Sequence, residues 1–358
     1  MTDSQKWLTL TFFLVIGGLI YLLAPVLMPF VFAAILAYLG DPLADKLELL
    51  KIKSFQLGRT NAVILVFIAI FFIISSVLGI LLPKIEFQIS QFIAKFPEYV
   101  GWLNKVVIPW LELHLGWDVS LIEGDKIIAL MKGHWQKAGG GVMFFMGSVS
   151  RSSAALAQWV MNLVLIPVIT FYLLRDWDIL VAKFQGLLPR RIEPSAKKLA
   201  IETDMVLGAF MRGQFYVMLA LGAIYSLGLW LVDLHLALLI GMMAGIVSFV
   251  PYLGSIVGVT VACVAAMLQF QDVMYLIPVS IVFAVGQSLE GMLLTPLLVG
   301  DKIGLHPVAV MFAVLAGGQL FGFLGVLLAL PIASVVMVFL RHIHEIYRDS
   351  RFYTAEKK

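Results

Sequence analysis

Long apolar stretches separated by short polar segments dominate the chain. Three of them lie in the N-terminal third, at about 7–23, 24–39 and 61–82, and a fourth runs from near 154 to 176. A helix of about 20 apolar residues crosses a bilayer core about 30 Å thick. We therefore predict a transmembrane helix at each stretch, with the second, which holds Pro25 and Pro29, unusually short.

The segment from 213 to 340 is apolar almost throughout. Its charged residues are Asp233, Asp272, Glu290, Asp301 and Lys302. They predict a fifth span that closes at Asp233 and a later span over 273–299. Two shorter spans are predicted to meet at VPYLG (250–254), and the last stretch, 305–340, is too long for one helix. The pattern predicts an all-α polytopic membrane protein with about eight transmembrane helices and broken or re-entrant helices near the C-terminus.

Lysine and arginine concentrate in three segments. Residues 41–60 hold four, residues 175–212 hold seven and the last 18 residues hold five, whereas the 58 residues of 83–140 hold six, balanced by six acids. Because cytoplasmic loops are enriched in basic residues, we predict that both termini and the first two segments are cytoplasmic, with 83–140 outside. The last hairpin would then enter and leave the membrane from the cytoplasmic side.

These features divide the chain into five predicted parts. They are N-terminal transmembrane helices (1–82), an amphipathic extramembrane segment (83–140), a transmembrane helix with a cytoplasmic helical loop (141–212), a C-terminal transport core (213–340) and a basic cytoplasmic tail (341–358). In 83–107 apolar residues recur every three or four positions, which predicts an amphipathic helix interrupted by Pro97. That helix would lie on the membrane surface, on a neighbouring subunit or on its own chain. Residues 175–212 predict two helices split at 188–194, with Ser195 as the N-cap of the second.

Helix-breaking residues cluster in the C-terminal half. In a bilayer, broken helices are tolerated where protein or a water-filled cavity covers the freed backbone groups, and transporters build solute sites from them. The alternative is that glycine and proline are simply common in membrane helices. We predict two short helices meeting at a glycine-rich bend near 317–325. The candidate pathway-forming breaks are Pro251, Gly254, Pro296, Gly317, Gly318, Gly322 and Gly325.

Glu290 is the principal candidate for ion coupling. A carboxylate inside an apolar span is costly and marks a functional site or a paired structural group. Gln287 lies three residues earlier, on the same helical face. Arg212 and Gln214 begin the fifth span, where Arg212 would serve either as an interfacial anchor or as a substrate clamp.

Composition supports the membrane assignment and excludes other classes. Apolar residues make up 61% of the chain, charged residues 13%, and the mean hydropathy is +0.99, against about 25% charged residues in soluble domains. The net charge of +3 and the single Cys263 predict neither nucleic-acid binding nor a disulfide or redox site. The chain has no phosphate-binding loop and no zinc-protease motif, so we predict no enzyme activity, no cofactor and no metal centre.

Several motifs in order resemble one family. They are YLLRD at 172–176, RGQ at 212–214, FVPYLG at 249–254, Glu290 followed by Pro296, GLHP at 304–307 and GGxxxGxxGxxxAxP at 317–331. Together with the opening segment at 23–43, they resemble the autoinducer-2 exporter family of PerM-type permeases. The resemblance implies a bacterial inner-membrane protein of about eight helices that assembles as a homo-oligomer, a pentamer. The family often has an asparagine after the glutamate, whereas Gly291 and Met292 follow Glu290 here.

Three functions follow from this reading. The first is a secondary transporter or exporter of a small polar solute, coupled to protons or sodium through Glu290. The second is a cation/proton antiporter without organic cargo. The third is a membrane scaffold whose docking surface is the 83–140 segment.

Overall fold

Helices account for nearly all of the part of the chain that the computed structural model describes, which comprises residues 3–49, 51–52, 55–56, 58–115, 153–300, 306–348 and 353. The helices are α1 (Asp3–Glu48), α2 (Arg59–Trp102), α3 (Ile108–Leu115), α4 (Ser153–Gly186), α5 (Glu193–Leu231), α6 (Ala237–Val247), α7 (Leu253–Phe270), α8 (Leu276–Leu289) and α9 (Pro307–Arg348). A π-helical segment (Leu103–Val107) joins α2 to α3, and another (Glu290–Val299) continues α8. A 3-10 turn (Val273–Tyr275) precedes α8, and strands Lys51–Ile52 and Phe55–Gln56 pair antiparallel.

The helices confirm an all-α polytopic membrane protein. Within the described ranges, six helical segments are long and apolar enough to cross a bilayer, and two shorter apolar helices accompany them, Ala237–Val247 and Val308–Gly322. Large apolar side chains cover their surfaces: Phe71 and Phe72 are 74% and 71% exposed. Exposed apolar surface of this extent is unfavourable in water, whereas in lipid the same side chains contact apolar lipid tails. The six are Val26–Glu48, Arg59–His114, Glu193–Leu231, Leu253–Phe270, Val273–Val299 and Leu324–Arg348.

Prolines in the N-terminal helices do not break them. The predicted spans at 7–23 and 24–39 lie in the single helix α1, which continues through Pro25 and Pro29. Likewise α2 joins the predicted third span to the amphipathic segment through Pro83 and Pro97, so the predicted interruption at Pro97 is wrong. At Pro25 and Pro29, inside a predicted membrane span, an apolar environment favours helix continuity because freed carbonyls find no water there. Residues 116–140 of the predicted segment lie outside the described residues.

The basic segment 175–212 forms the end of α4 and the beginning of α5, and it is split between two helices as predicted. Helix α4 ends at Gly186, and α5 begins at Glu193 rather than after Ser195, so the predicted N-cap is wrong. Pro194 suits the first turn of a helix because its missing N–H would be unpaired there anyway. The Gln185 side-chain amide donates to Glu193 at 3.1 Å, which links the two helix ends.

The predicted turns of the C-terminal half are present. After α5 the chain turns at Asp233, whose φ of 58° is left-handed, and the Gln269 side chain holds this turn by donating to the Asp233 carbonyl at 2.7 Å. Helices α6 and α7 meet at Tyr252, another left-handed residue with a φ of 67°. The left-handed backbone at Asp233 and at Tyr252 confirms the prediction that Asp233 and the VPYLG segment lie at helix ends.

The chain forms two compact units. The first contains Met1–Ile70, Val160–Gly213 and Val299–Lys358; the second contains Phe71–Trp159 and Gln214–Leu298. In the second unit, α5 and α6 cross so closely that a Cβ atom on Gly245 would lie 2.5 Å from the Gly222 Cα atom. Glycine at this crossing lets the two backbones approach, which is the usual basis of tight helix packing in membranes.

We expect Gly245→Ala to destabilise the second unit. The added methyl would overlap the α5 backbone, which cannot move aside, and overpacking of this kind costs about 1–3 kcal/mol. Thermal unfolding of the detergent-purified protein measures the loss. Gly79→Ala is the matched control, because a Cβ atom there meets nothing within 4 Å, and alanine is the better helix former by about 1 kcal/mol. Equal stability of the two variants would contradict the close crossing.

Candidate functional site

Glu290 lies in the interior of the second unit, at the end of α8. Its exposed fraction is 6%, and the Gln287 Nε2 atom donates to its Oε2 atom at 3.2 Å. The predicted pairing of these two side chains on one helical face is therefore present. One neutral hydrogen bond satisfies only part of a carboxylate, which can accept several.

Tyr225 of α5 completes the surroundings of Glu290, and sequence reasoning missed it. Its side chain is fully buried, stacks on Phe283 with the ring centroids 4.6 Å apart, and packs against Gly286, where a Cβ atom would collide with the Tyr225 ring. The Tyr225 hydroxyl interacts electrostatically with Glu290. Among the described residues, neither that hydroxyl nor the Gln287 Oε1 atom has a hydrogen-bond partner. A single tyrosine in an apolar helix carries no sequence signal for such a role.

The helix widens where Glu290 begins. From Glu290 to Val299 the backbone is π-helical, and Pro296 lies inside this segment. Proline has no N–H to donate and collides with the carbonyl four residues earlier in an α-helix, so a wider turn relieves the conflict. The predicted helix break at Pro296 is therefore wrong: the helix changes its pitch and continues.

The VPYLG segment contains a true break, although its residues have different parts in it. Pro251 lies in the turn between α6 and α7, as predicted. Gly254 lies in the first turn of α7 and packs on the carbonyl of Ala244 and on Ser248, so it is a close-packing residue rather than part of the break.

The glycine-rich stretch of α9 folds as two helices that meet at Gly322. This residue has a φ of 59° and a ψ of −138°, which only glycine adopts readily. The backbones of Gly317 and Gly325 contact each other, and a Cβ atom on Gly318 would lie 3.1 Å from the Val326 side chain. Residues eight apart are about 12 Å apart in a straight helix, so the two arms fold back on each other. The break is at Gly322 alone, whereas Gly317, Gly318 and Gly325 let the arms approach.

Arg212 and Gln214 belong to different units and have different partners. Gln214 is 4% exposed and its Nε2 atom donates at 2.5 Å to the carbonyl of Ser248, the residue that follows α6 and lies two positions before the VPYLG segment. It therefore fixes the end of α6. The exposed Arg212 side chain interacts electrostatically with Tyr38, whose hydroxyl donates to Asp204 at 2.6 Å.

Arg59 organises a polar cluster in the first unit that sequence reasoning also missed. Its guanidinium donates to Asp41 at 2.5 Å, to Asp45, to Glu48 at 3.3 Å and to the Leu174 carbonyl at 3.0 Å. No local pattern reveals this cluster, because Leu174 is 115 residues away in the sequence. The cluster attaches the 41–60 segment to the end of the predicted fourth span.

Segments predicted on one side of the membrane contact each other. Besides the Arg59 cluster, Lys198 of the 175–212 segment lies 3.7 Å from Glu345 of the C-terminal tail. In the second unit, the backbone N–H of Leu239 donates at 3.2 Å to Gln88 of the amphipathic segment. An open cavity of about 750 Å³ there is lined by residues of α2 and of the Asp233 turn, including Lys84, Gln88, Gln91, Trp230, Asp233 and His235.

His235 lies in this turn and has a lowered pKa. Partial burial and the nearby Lys95 ammonium lower the pKa of His235, and Asp233 opposes the shift. The backbone N–H of His235 donates to Gln269 at 2.7 Å, so the residue is held in place. Within the described ranges, no three histidine, cysteine or acidic side chains come together in a way that would hold a metal ion.

Comparison with known proteins agrees with these motifs. The sequence model of the AI-2E family transporter matches residues 10–345. The chain belongs to this family. It is 25% identical to the Bacillus subtilis protein YrrI, named as a transport protein, over 88% of the chain and 86% of YrrI. It is 28% identical to the Escherichia coli protein PerM, named as a permease, over 89% of the chain and 88% of PerM. A sodium-lithium/proton antiporter of Halobacillus andaensis is 23% identical over 91% of the chain and 92% of its own length.

We expect acidification to destabilise this AI-2E family member partly through His235. Because its pKa is lower in the fold than in the unfolded chain, the unfolded chain binds the proton first as the pH falls. The contribution of His235 to the free energy of unfolding is fully present above about pH 6.5, the ordinary pKa of histidine. It is lost as the pH falls toward and through the lower pKa that His235 has in the folded protein. His235→Gln should therefore reduce the difference between the unfolding midpoints at pH 8 and pH 5. The control is His344→Gln at an exposed site, and an unchanged difference in His235→Gln would contradict the assignment.

We expect Arg59→Gln to lower the free energy of unfolding by about 2 kcal/mol. A fully buried pair that loses one partner costs about 3–5 kcal/mol, and here Arg59 is 17% exposed while its partners are 34–55% exposed. Denaturant titration in detergent provides the measurement. Arg190→Gln is the matched control, since its side chain is 97% exposed and its ion pair with Glu193 spans 3.7 Å; its effect should stay within about 0.5 kcal/mol. If the two variants lose the same free energy of unfolding, the Arg59 cluster does not contribute to the stability of the first unit.

Proposed function

We propose that this protein is a secondary transporter that moves a small polar solute across the bacterial inner membrane and couples the movement to an ion gradient through Glu290. The observation that carries the proposal is the buried carboxylate of Glu290, which has one neutral hydrogen bond and lies at the start of a π-helical segment. Segments of this kind occur often at functional sites.

A permanently charged Glu290 would be expensive. Removing a carboxylate from water costs several kcal/mol unless a cation or several hydrogen bonds compensate it. In the sequences of 214–231, 237–247, 253–270 and 276–299, Glu290 is the only charged residue. The carboxylate therefore exchanges a bound proton for a bound cation at low cost, and that exchange is the elementary step of ion coupling.

Cation/proton antiport without organic cargo is the second candidate. The relative from Halobacillus andaensis that is named a sodium-lithium/proton antiporter favours it, since its similarity extends over 91% of this chain. The same exchange at Glu290 would then be the whole transport reaction. The two candidates differ in one respect: proton movement requires an organic solute in coupled solute transport and does not require it in antiport.

The contacts between segments support the predicted orientation. The 41–60 and 175–212 segments and the C-terminal tail are cytoplasmic in this proposal: Arg59 contacts Leu174, the residue before the second segment, and Lys198 contacts Glu345 of the tail. The enriched lysine and arginine assign that side to the cytoplasm. A single helix such as α1 that crosses the bilayer once has its ends on opposite sides, so the cytoplasmic N-terminus predicted from two separate spans is not part of this proposal. We further propose that the protein is a homo-oligomer, a pentamer, as the family resemblance implies.

Proton flux in proteoliposomes tests the proposal. Sodium, lithium, potassium or solute gradients are imposed on liposomes that contain the purified protein, and an internal pH dye reports proton movement. We expect at least one gradient to drive proton movement with wild type, and Glu290→Gln to reduce it to the level of empty liposomes, because the amide neither binds a proton nor balances a cation. Glu86→Gln, at an exposed position of α2, should retain the wild-type rate.

Each outcome assigns a role. Proton movement that needs an organic solute supports coupled solute transport, and proton movement driven by sodium or lithium alone supports antiport. If the folded wild type moves no protons under any gradient, coupling through Glu290 is wrong. A scaffold function would then be the better explanation, provided that Glu290→Gln alters only thermal stability.

A further inference from the structure

We propose that the Tyr225 hydroxyl, the Gln287 amide oxygen and the Glu290 carboxylate form a binding site for one dehydrated monovalent cation of the sodium or lithium type. The inference rests on the proposed coupling through Glu290 and supplies the ligands of the coupling ion. All three residues belong to the second unit.

The packing of α5 on α8 brings the three oxygen-bearing side chains together. The Tyr225 ring lies directly on Gly286, and Glu290 follows Gly286 by four residues, which places it one helical turn further on the same face. Tyr225 and Glu290 interact electrostatically, and Gln287 is hydrogen-bonded to Glu290 at 3.2 Å. The stacked ring of Phe283 fixes the orientation of Tyr225.

Two of these oxygens lack a partner that a cation would provide. An ionised carboxylate only accepts hydrogen bonds, so Gln287 must turn its NH₂ group toward Glu290, and its Oε1 atom remains as a buried acceptor. The Tyr225 hydroxyl is buried as well, with no partner among the described residues. Native proteins rarely leave such groups unpaired, and a bound ion or an ordered water is the usual partner of a buried polar atom that has none within the protein. Carboxylate, amide and hydroxyl oxygens are the ligands that hard cations prefer.

The charge of the site selects a monovalent ion. Glu290 is the only charged residue in 214–231 and in 276–299, the segments that supply the three ligands. One carboxylate neutralises one positive charge, whereas a divalent ion would leave an uncompensated charge in an apolar interior. Binding of the cation releases the proton of a protonated Glu290 to solvent, so the site holds either one proton or one cation.

Removal of the Tyr225 hydroxyl tests the site without removing the ring. Tyr225→Phe keeps the packing on Gly286 and Phe283. Tyr99→Phe is the matched control, because the Tyr99 hydroxyl is also buried and without a partner in the described part of the chain, in a side chain that is 3% exposed. Equilibrium binding of radioactive sodium to the detergent-purified protein is measured with lithium and potassium as competitors. The sodium dependence of proton movement is measured in proteoliposomes.

We expect Tyr225→Phe to raise the half-saturating sodium concentration about tenfold in both assays, since one ligand to a charged group is lost. The unfolding midpoint of Tyr225→Phe should remain close to that of wild type, because the ring packing is kept, and Tyr99→Phe should match wild type in both assays. Gln287→Met, which removes the amide oxygen at similar volume, should also raise the half-saturating concentration.

The outcomes separate this inference from the proposed function. If wild type shows sodium-dependent proton movement but Tyr225→Phe and Gln287→Met have the half-saturating concentration of Tyr99→Phe, the three-oxygen site is wrong and coupling through Glu290 stands. If wild type moves no protons yet binds sodium in a way that Tyr225→Phe weakens, the site stands and the proposed coupling is wrong. Absence of sodium and lithium binding by folded wild type overturns the site.

Discussion

In an apolar environment each backbone N–H and carbonyl group needs a partner within the protein, and this requirement shapes the membrane helices. Lipid offers no such partner, so the chain stays helical through Pro25 and Pro29. Side chains pair backbone carbonyls at two places in the second unit where helices end. Gln214 donates to the carbonyl of Ser248 after α6, and Gln269 donates to the carbonyl of Asp233 after α5.

The same constraint gives the Glu290 region its chemical character. The side chains of Tyr225, Gln287 and Glu290 bring polar atoms into a mainly apolar part of the second unit. Membership of a transporter family agrees with such a site, and the close packing of α5 on α8 at Gly286 is what assembles it.

Charge has a different part in the first unit. Arg59, the first residue of α2, binds three acids near the end of α1 and the carbonyl of Leu174 inside α4, so it connects three helices of the first unit. Glycine contributes packing rather than flexibility at most positions. Gly245 and Gly317 lie where another backbone approaches, whereas Gly322 supplies the left-handed conformation that reverses the chain.

Sequence patterns alone predicted the all-α membrane fold, the turns at Asp233 and VPYLG, the bend near Gly322 and the pairing of Gln287 with Glu290. Hydropathy, charge and spacing along one helix are local properties, and in a membrane protein they are sufficient to predict where a helix spans and which residues share a face. The structure was needed to show that Pro296 widens a helix without ending it, because proline in an apolar segment is compatible with either outcome. It was also needed to show the partners of Tyr225 and Arg59, which depend on which helices pack together. Contacts between residues 65 or 115 positions apart leave no periodic trace in the chain.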